Sequence, residues 1–242
     1  MLLKPKYIDD SKICDTSLRY VWDDWDLQSI FVPQSDEFHG RMAGLTHRSN
    51  IAFTIACAEW IVFRYEKLSD DIIPFHHLEA SWAGQLDWRY MKYWEPVNKE
   101  WLGPIRGALS LGIIFVNEVL MEAEQYEDPA MVSAEVSNLA VHIMTDTRNF
   151  NEWRSRVIAR LETYFPLDEA DPLGDVVPRE AMDPDFDFRP EMTEKLVQVY
   201  LDKLTPGVNP ILRTPEQMIE SGFKGTPYVF NMEEDRIARN DY

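Results

Sequence analysis

Carboxylates and histidines set in or beside apolar runs are the residues of this 242-residue chain best placed to do chemistry. Glu59 interrupts the run Ile51, Phe53, Ile55, Ala56, Trp60, Ile61, Val62, Phe63, and Glu118 interrupts a second run from Ile105 to Leu120. A carboxylate buried without a partner would cost several kcal/mol or be forced to take up a proton. Each therefore predicts a partner, with Arg48, Arg64, Arg106 or a helix end as candidates. Inward carboxylates and histidines in a helical bundle can also hold two metal ions, and the ligands available are Glu118, Glu122, His76, Glu79, His142 and Asp146. The Glu-x-x-His pairs of that chemistry are absent: His76 and Glu79 have the reverse order. Glu118/Glu122 and His142/Asp146 are spaced i, i+4, which places each pair on one helix face but arises often by chance. Internal pairing is the favoured reading, and no metal, cofactor or catalytic residue is assigned.

Arg41-x-x-x-x-x-His47 resembles the loose Arg-x₄₋₆-His spacing of HEPN-type ribonucleases, helical proteins that use the pair on a cleft to cleave RNA. The resemblance covers seven residues and implies His47 as general acid or base, with Arg41 stabilising charge on a phosphorane. Met42 stands where that family has a polar residue. The chain contains no phosphate-binding Gly-rich loop, no dinucleotide fingerprint, no His-Glu-x-x-His, no Cys-x-x-Cys and no nucleophile elbow.

Charge narrows the partners. There are 24 Lys and Arg against 42 Asp and Glu, a net charge of −18, which opposes unaided binding to nucleic acid or an anionic membrane. Cys14 and Cys57 are too few for a disulfide framework, and Cys57 lies in an apolar run where an inert buried thiol is expected. The N-terminal residues lack the apolar stretch of a signal peptide, and Ile51–Phe63 is shorter than the ~20 residues that span a bilayer. A cytoplasmic location is expected.

Two acidic stretches stand out. Trp22-Asp23-Asp24-Trp25-Asp26 sets two indoles beside three carboxylates, a combination suited to a cationic partner or to a half-buried amphipathic helix. Residues 166–190 carry eight acids and two bases, a net of −6 in 25 residues, with prolines at 166, 172, 178, 184 and 190. No regular helix or central strand fits such proline spacing, so an extended acidic connection is expected, with Asp168, Glu169, Asp171, Asp183, Asp185 and Asp187 facing a partner. A further aromatic group, Trp82, Trp88, Tyr90, Tyr93, Trp94 and Trp101, places Trp82, Leu86, Tyr90 and Tyr93 on one helix face as a core stripe.

The elements that must position these residues are helices. Apolar spacing of three and four, with Pro74, Pro104, Pro129, Pro190 and Pro215 at helix starts, predicts helices near 16–31, 43–68, 74–94, 104–126, 129–147, 150–164, 190–204 and 215–221. Asp128 is an expected cap, Thr214 to Gln217 an expected capping box, and Asn149 to Glu152 an expected helix break. The fold class is mainly α, a bundle or array around two buried apolar helices, 43–68 and 104–126. A helical core over 1–165, an acidic Pro-rich connection over 166–190 and a C-terminal helix with a short irregular tail over 191–242 form one domain. In the tail, Tyr228, Val229 and Phe230 read as a strand or a docking segment.

These features favour an acidic cytoplasmic protein-binding protein that neutralises a basic partner, as an immunity or antitoxin-like inhibitor does a toxin such as a nuclease. Its partner residues would be Trp22, Asp23, Asp24, Trp25, Asp26 and the acids of 166–190. The competing readings are a helical enzyme, through the carboxylate and histidine set or the HEPN-like pair, and a non-catalytic scaffold.

Overall fold

In the computed structural model, residues 2–15, 17–26, 35–97, 99–124 and 129–240 are described. The chain is 58% helix, and no strand occurs among the described residues. The α-helices are α1 (Lys6–Ser11), α2 (Asp36–Ala43), α3 (His47–Arg64), α4 (Ile73–Gly84), α5 (Gly103–Glu124), α6 (Ala130–Ile143), α7 (Arg148–Tyr164), α8 (Thr193–Leu201), α9 (Pro215–Glu220) and α10 (Met232–Asn240).

The two apolar runs become the centre. Every residue of α3 is buried, and it packs against α5 and α6, with α2 on α6 and α4 against both α3 and α5. Gly112 of α5 lies against Ile61 of α3, where an added Cβ would meet it at an ordinary contact distance of 3.5 Å. By length and hydropathy, Gly103–Met121 of α5 is apolar enough to cross a membrane, but here most of it is buried within the fold. On the other side of α3 an aromatic nest joins Phe53, Trp60, Phe150, Trp153 and Tyr7, with ring centroids 5.4–6.0 Å apart. Cys57 is buried beside it, and burial pushes its thiol well above the ordinary range.

Several expected boundaries move. Residues 17–26 are not helical: the carbonyls of Ser17 and Val21 are taken by Arg64 of α3, His142 of α6 and Thr145 just after α6 instead of by a local ladder. The remainder of that expected helix, and the expected cap Asp128, lie outside the described residues. The expected 43–68 helix is shorter, His47–Arg64 as α3, and α2 over Asp36–Ala43 precedes it, each with its own side-chain cap, from Thr46 and Ser35. The expected 74–94 helix stops at Gly84, and Asp87 caps a 3₁₀ turn over Trp88–Tyr90. The aromatic stripe is broken there: Trp82 and Tyr90 are buried, but Tyr93 is exposed. α7 starts at Arg148, so Asn149 to Glu152 is helical and not a break, while the capping box at Thr214 and Gln217 forms as expected.

Residues 166–190 contain no α-helix, only a 3₁₀ turn at Arg179–Met182 and the first residue of another at Pro190–Met192. They are nonetheless bound to the core, with Val176, Val177, Ala181, Met182 and Phe188 buried. The tail makes a second apolar cluster in which Ile211, Leu212 and Met218 meet Tyr90, Met91 and Val197. Tyr228 and Phe230 dock there without forming a strand: the Tyr228 hydroxyl donates to Arg213 O at 2.5 Å, and Gln198 Oε1 accepts from Phe230 N–H at 2.9 Å. α10 was not anticipated.

Candidate functional site

The tryptophan and aspartate stretch is a strap across the start of α5. Asp24 accepts from Gly103 N–H at 3.1 and 3.0 Å, capping α5, and from Trp22 Nε1 at 2.7 Å. Gly107 makes this fit possible, because a Cβ there would lie 2.7 Å from Asp24 Oδ1 and Trp22 Nε1. His142 Nε2 bonds to Val21 O at 2.8 Å, and the Tyr20 ring packs against Trp22 and His142 while its hydroxyl meets Tyr65 and Pro104 O. The strap is therefore pinned on its inner side. On its outer side Trp25 is 90% exposed and Val21 75% exposed. Asp23 and Asp26 are exposed beside them, with Asp23 Oδ1 accepting from Trp25 N–H at 2.8 Å. Of the five residues singled out in sequence, Trp22 and Asp24 hold the strap in place, and Asp23, Trp25 and Asp26 face outward.

An open groove of about 520 Å³ adjoins the strap, since Pro104, which receives Tyr20, is part of its wall. Leu68, Leu102 and Ile105 give it apolar walls. Asp70 is exposed there, and Asp71 is held by Arg106 at 2.9 and 3.0 Å. That guanidinium draws the Asp71 carboxyl below its usual range, against a smaller opposing effect of burial. Sequence reasoning missed these residues, which come from two segments more than thirty positions apart with no shared motif.

The acids of 166–190 mostly shape their own chain. Asp168 and Asp171 accept from the N–H groups of Ala170 and Gly174, and Asp183 accepts from Asp185 N–H. Asp185 pairs with Arg156 at 2.8 Å and Asp187 with Arg189 at 3.4 Å, all four exposed, while Glu169 is exposed at the surface. Arg160 clamps the segment by donating to the carbonyls of Ala181, Asp183, Pro184 and Phe186 at 2.6–3.2 Å.

Glu59 is fully buried, as its setting required, but its cation is none of the three expected. Oε1 accepts from Arg179 Nε and Trp82 Nε1, both at 2.7 Å, and Arg179 Nη2 continues to Leu3 O at 2.6 Å. Glu118, by contrast, is exposed on α5 and not buried. Its carboxyl is nevertheless raised, first by partial burial and then by the like charges of Glu135 and Glu95.

The remaining candidates are held apart. Arg41 is taken by Glu162 in a two-pronged pair at 2.6 and 2.9 Å, and His47 is a buried first residue of α3 whose N–H donates to Pro172 O. Glu79 accepts from Asn209, His142 serves the strap and Asp146 pairs with Arg148, while the Glu122 side chain lies outside the described residues. Among the described residues no three His, Cys, Asp or Glu side chains gather in a metal-holding group. His77 is buried against Asn117 Oδ1 at 2.9 Å, and burial lowers its pKa to about 4, so it is neutral at pH 7.

No family model, curated protein or solved structure matches the chain.

Proposed function

We propose that this chain is an acidic, cytoplasmic protein-binding protein that neutralises a basic protein partner, in the manner of an immunity or antitoxin-like inhibitor of a toxin. The observation that carries the reading is Trp25, 90% exposed between two exposed carboxylates on a strap pinned from beneath. A large aromatic held outward on an ordered backbone loses little conformational freedom on binding, and tryptophan is the residue type most enriched among residues that dominate interface energetics. Asp23 and Asp26 add negative charge beside it, on a chain of net charge −18. Such a field speeds encounter with a cationic protein and disfavours acidic ones. The groove beside Leu68 and Leu102, joined to the strap through Tyr20 and Pro104, offers apolar walls to a partner side chain.

The test is affinity capture from the native source with wild-type chain and with Trp25→Ala in parallel, followed by elution with rising salt. The expected result is one stoichiometric basic protein, retained by the wild type, released by salt and lost with Trp25→Ala. Equal retention by both, or no basic protein on either, overturns the reading.

A further inference from the structure

A second buried ion pair joins the start of α3 to the C-terminal helix. Arg48, the second residue of α3, has a side chain only 4% exposed, and its Nη1 and Nη2 donate to Asp235 Oδ2 at 2.6 Å and Oδ1 at 2.8 Å. This is the parallel two-pronged geometry in which a guanidinium selects a carboxylate over other acceptors. Its other partners are neutral carbonyls, Gly174 O and Leu86 O, both at 3.3 Å, and Nε has no hydrogen-bond partner. Among the described residues, Asp235 is thus the only charged group hydrogen-bonded to Arg48. The first N–H groups of α3 are already taken by Pro172 O and Leu173 O, so the guanidinium alone receives the anion.

The element that brings Asp235 is held differently from every other helix of the core. No described side chain of α10 is buried, and Ile237 is exposed. α10 is fixed by Arg48–Asp235, by a reciprocal pair between Arg236 and Asp175, and by Glu194 Oε2 accepting from Met232 N–H. Asn231 caps it by accepting from the N–H groups of Glu233 and Glu234. Its docking is therefore electrostatic, while the Arg48 it covers belongs to α3, the central helix of the core. A helix with few apolar contacts opens at low free-energy cost, and opening removes the carboxylate bonded to Arg48, leaving a guanidinium whose two-pronged geometry suits another carboxylate.

We infer that α10 is a reversible latch and that Arg48, framed by Gly174 and Leu86, is a carboxylate-receiving site which an acidic peptide segment can occupy in place of Asp235. The inference is independent of the strap and groove.

The experiment uses full-length chain carrying Asp235→Ala and a synthetic peptide of residues 231–240, with the same peptide carrying asparagine at the aspartate position as control. Backbone amide shifts of Arg48, Gly174 and Leu86 report binding. Saturable binding to the Asp235→Ala chain is expected, at least about tenfold weaker for the asparagine peptide and for the wild-type chain, whose latch competes. No binding, or equal binding of both peptides, overturns the inference. Should Asp235→Ala fail to fold, Arg236→Ala leaves the buried pair intact. Its α10 amides, like those of wild type in high salt, should exchange about tenfold faster while those of α3 are unchanged. Unchanged α10 exchange in both cases overturns the latch.

Discussion

Arg179 donates its Nε to Glu59 Oε1 at 2.7 Å across a separation of 120 residues. One of only two cations in the most acidic stretch of the chain thereby neutralises the carboxylate at the centre of the most buried helix. The contact fastens residues 178–182 to α3, and the Arg160 clamp fastens the residues that follow.

Removing one partner of this pair should cost far more than removing its charge. Arg179→Met leaves Glu59 buried with only Trp82 as donor and should destabilise by about 3–5 kcal/mol, whereas Glu59→Gln should change stability by about 1–3 kcal/mol. The double variant Glu59→Gln/Arg179→Met should lose less than the sum of the two. Urea denaturation of the three chains checks this, and a change within about 0.5 kcal/mol for Arg179→Met would show that the pair does not anchor the segment.

His77 gives the fold an acid limit. Its folded pKa of about 4 lies below the ordinary 6.5, so the unfolded chain binds the extra proton first. The stabilisation is complete above pH ~6.5 and is lost as pH falls to ~4, amounting to about 3 kcal/mol for this one group. His77→Gln should flatten that part of the stability–pH curve. An unchanged slope between pH 6.5 and 4 would count against a neutral buried imidazole.

Glu118 and Glu135 should act in the opposite sense. Both carboxyls are raised, Glu135 by burial and Glu118 by burial and then by its acidic neighbours. A raised carboxyl means that the folded state holds its proton more tightly, so each group detracts from stability as pH rises through its folded value. Glu118→Gln should stabilise at pH 7 by a small amount, about 0.3–0.5 kcal/mol given its exposure to solvent. Thermal unfolding at pH 7 and pH 4 should show the gain at the higher pH and none at the lower.

Neighbouring aspartates on the strap should separate cleanly. Asp24→Ala removes the cap of α5 and the partner of Trp22 Nε1, and should cost about 1–2 kcal/mol. Asp26→Asn and Trp25→Ala should leave stability within about 0.5 kcal/mol, since both side chains face outward. Their effect should appear in partner binding, with Asp26→Asn slowing association and Trp25→Ala speeding dissociation.

Replacing Asp168, Asp171, Asp183 and Asp185 together with Asn tests whether the acidic segment steers a partner. Slower association with little change in dissociation is the expected result, and its salt dependence should fall with it. Unchanged kinetics would assign those carboxylates to turn formation alone.

What was legible in the sequence followed from local periodicity and local chemistry. The two apolar runs made α3 and α5 central, Pro215 and the Thr214 capping box marked α9, and the proline spacing kept helix out of residues 166–190. Each depends on residues within a few positions of one another. Strap residues 17–26 had helical periodicity as well, yet Asp24 caps a helix 79 residues away and the strap carbonyls bond to α3 and to residues around the end of α6. A backbone group satisfied by a distant side chain leaves no trace in local spacing.

The sequence by itself determined that the protein is helical, acidic and built on two apolar helices, and that Glu59 required a cation. Only the tertiary structure decided which cation, because it is none of Arg48, Arg64 and Arg106 but Arg179, 120 residues away, brought in by the turn at 178–182. It also decided that Trp25 faces solvent while Trp22 is pinned against α5, and that a helix with no buried side chain among those described is held at Arg48. Burial and ion pairing are properties of surfaces brought together, and those surfaces exist only once the helices have packed.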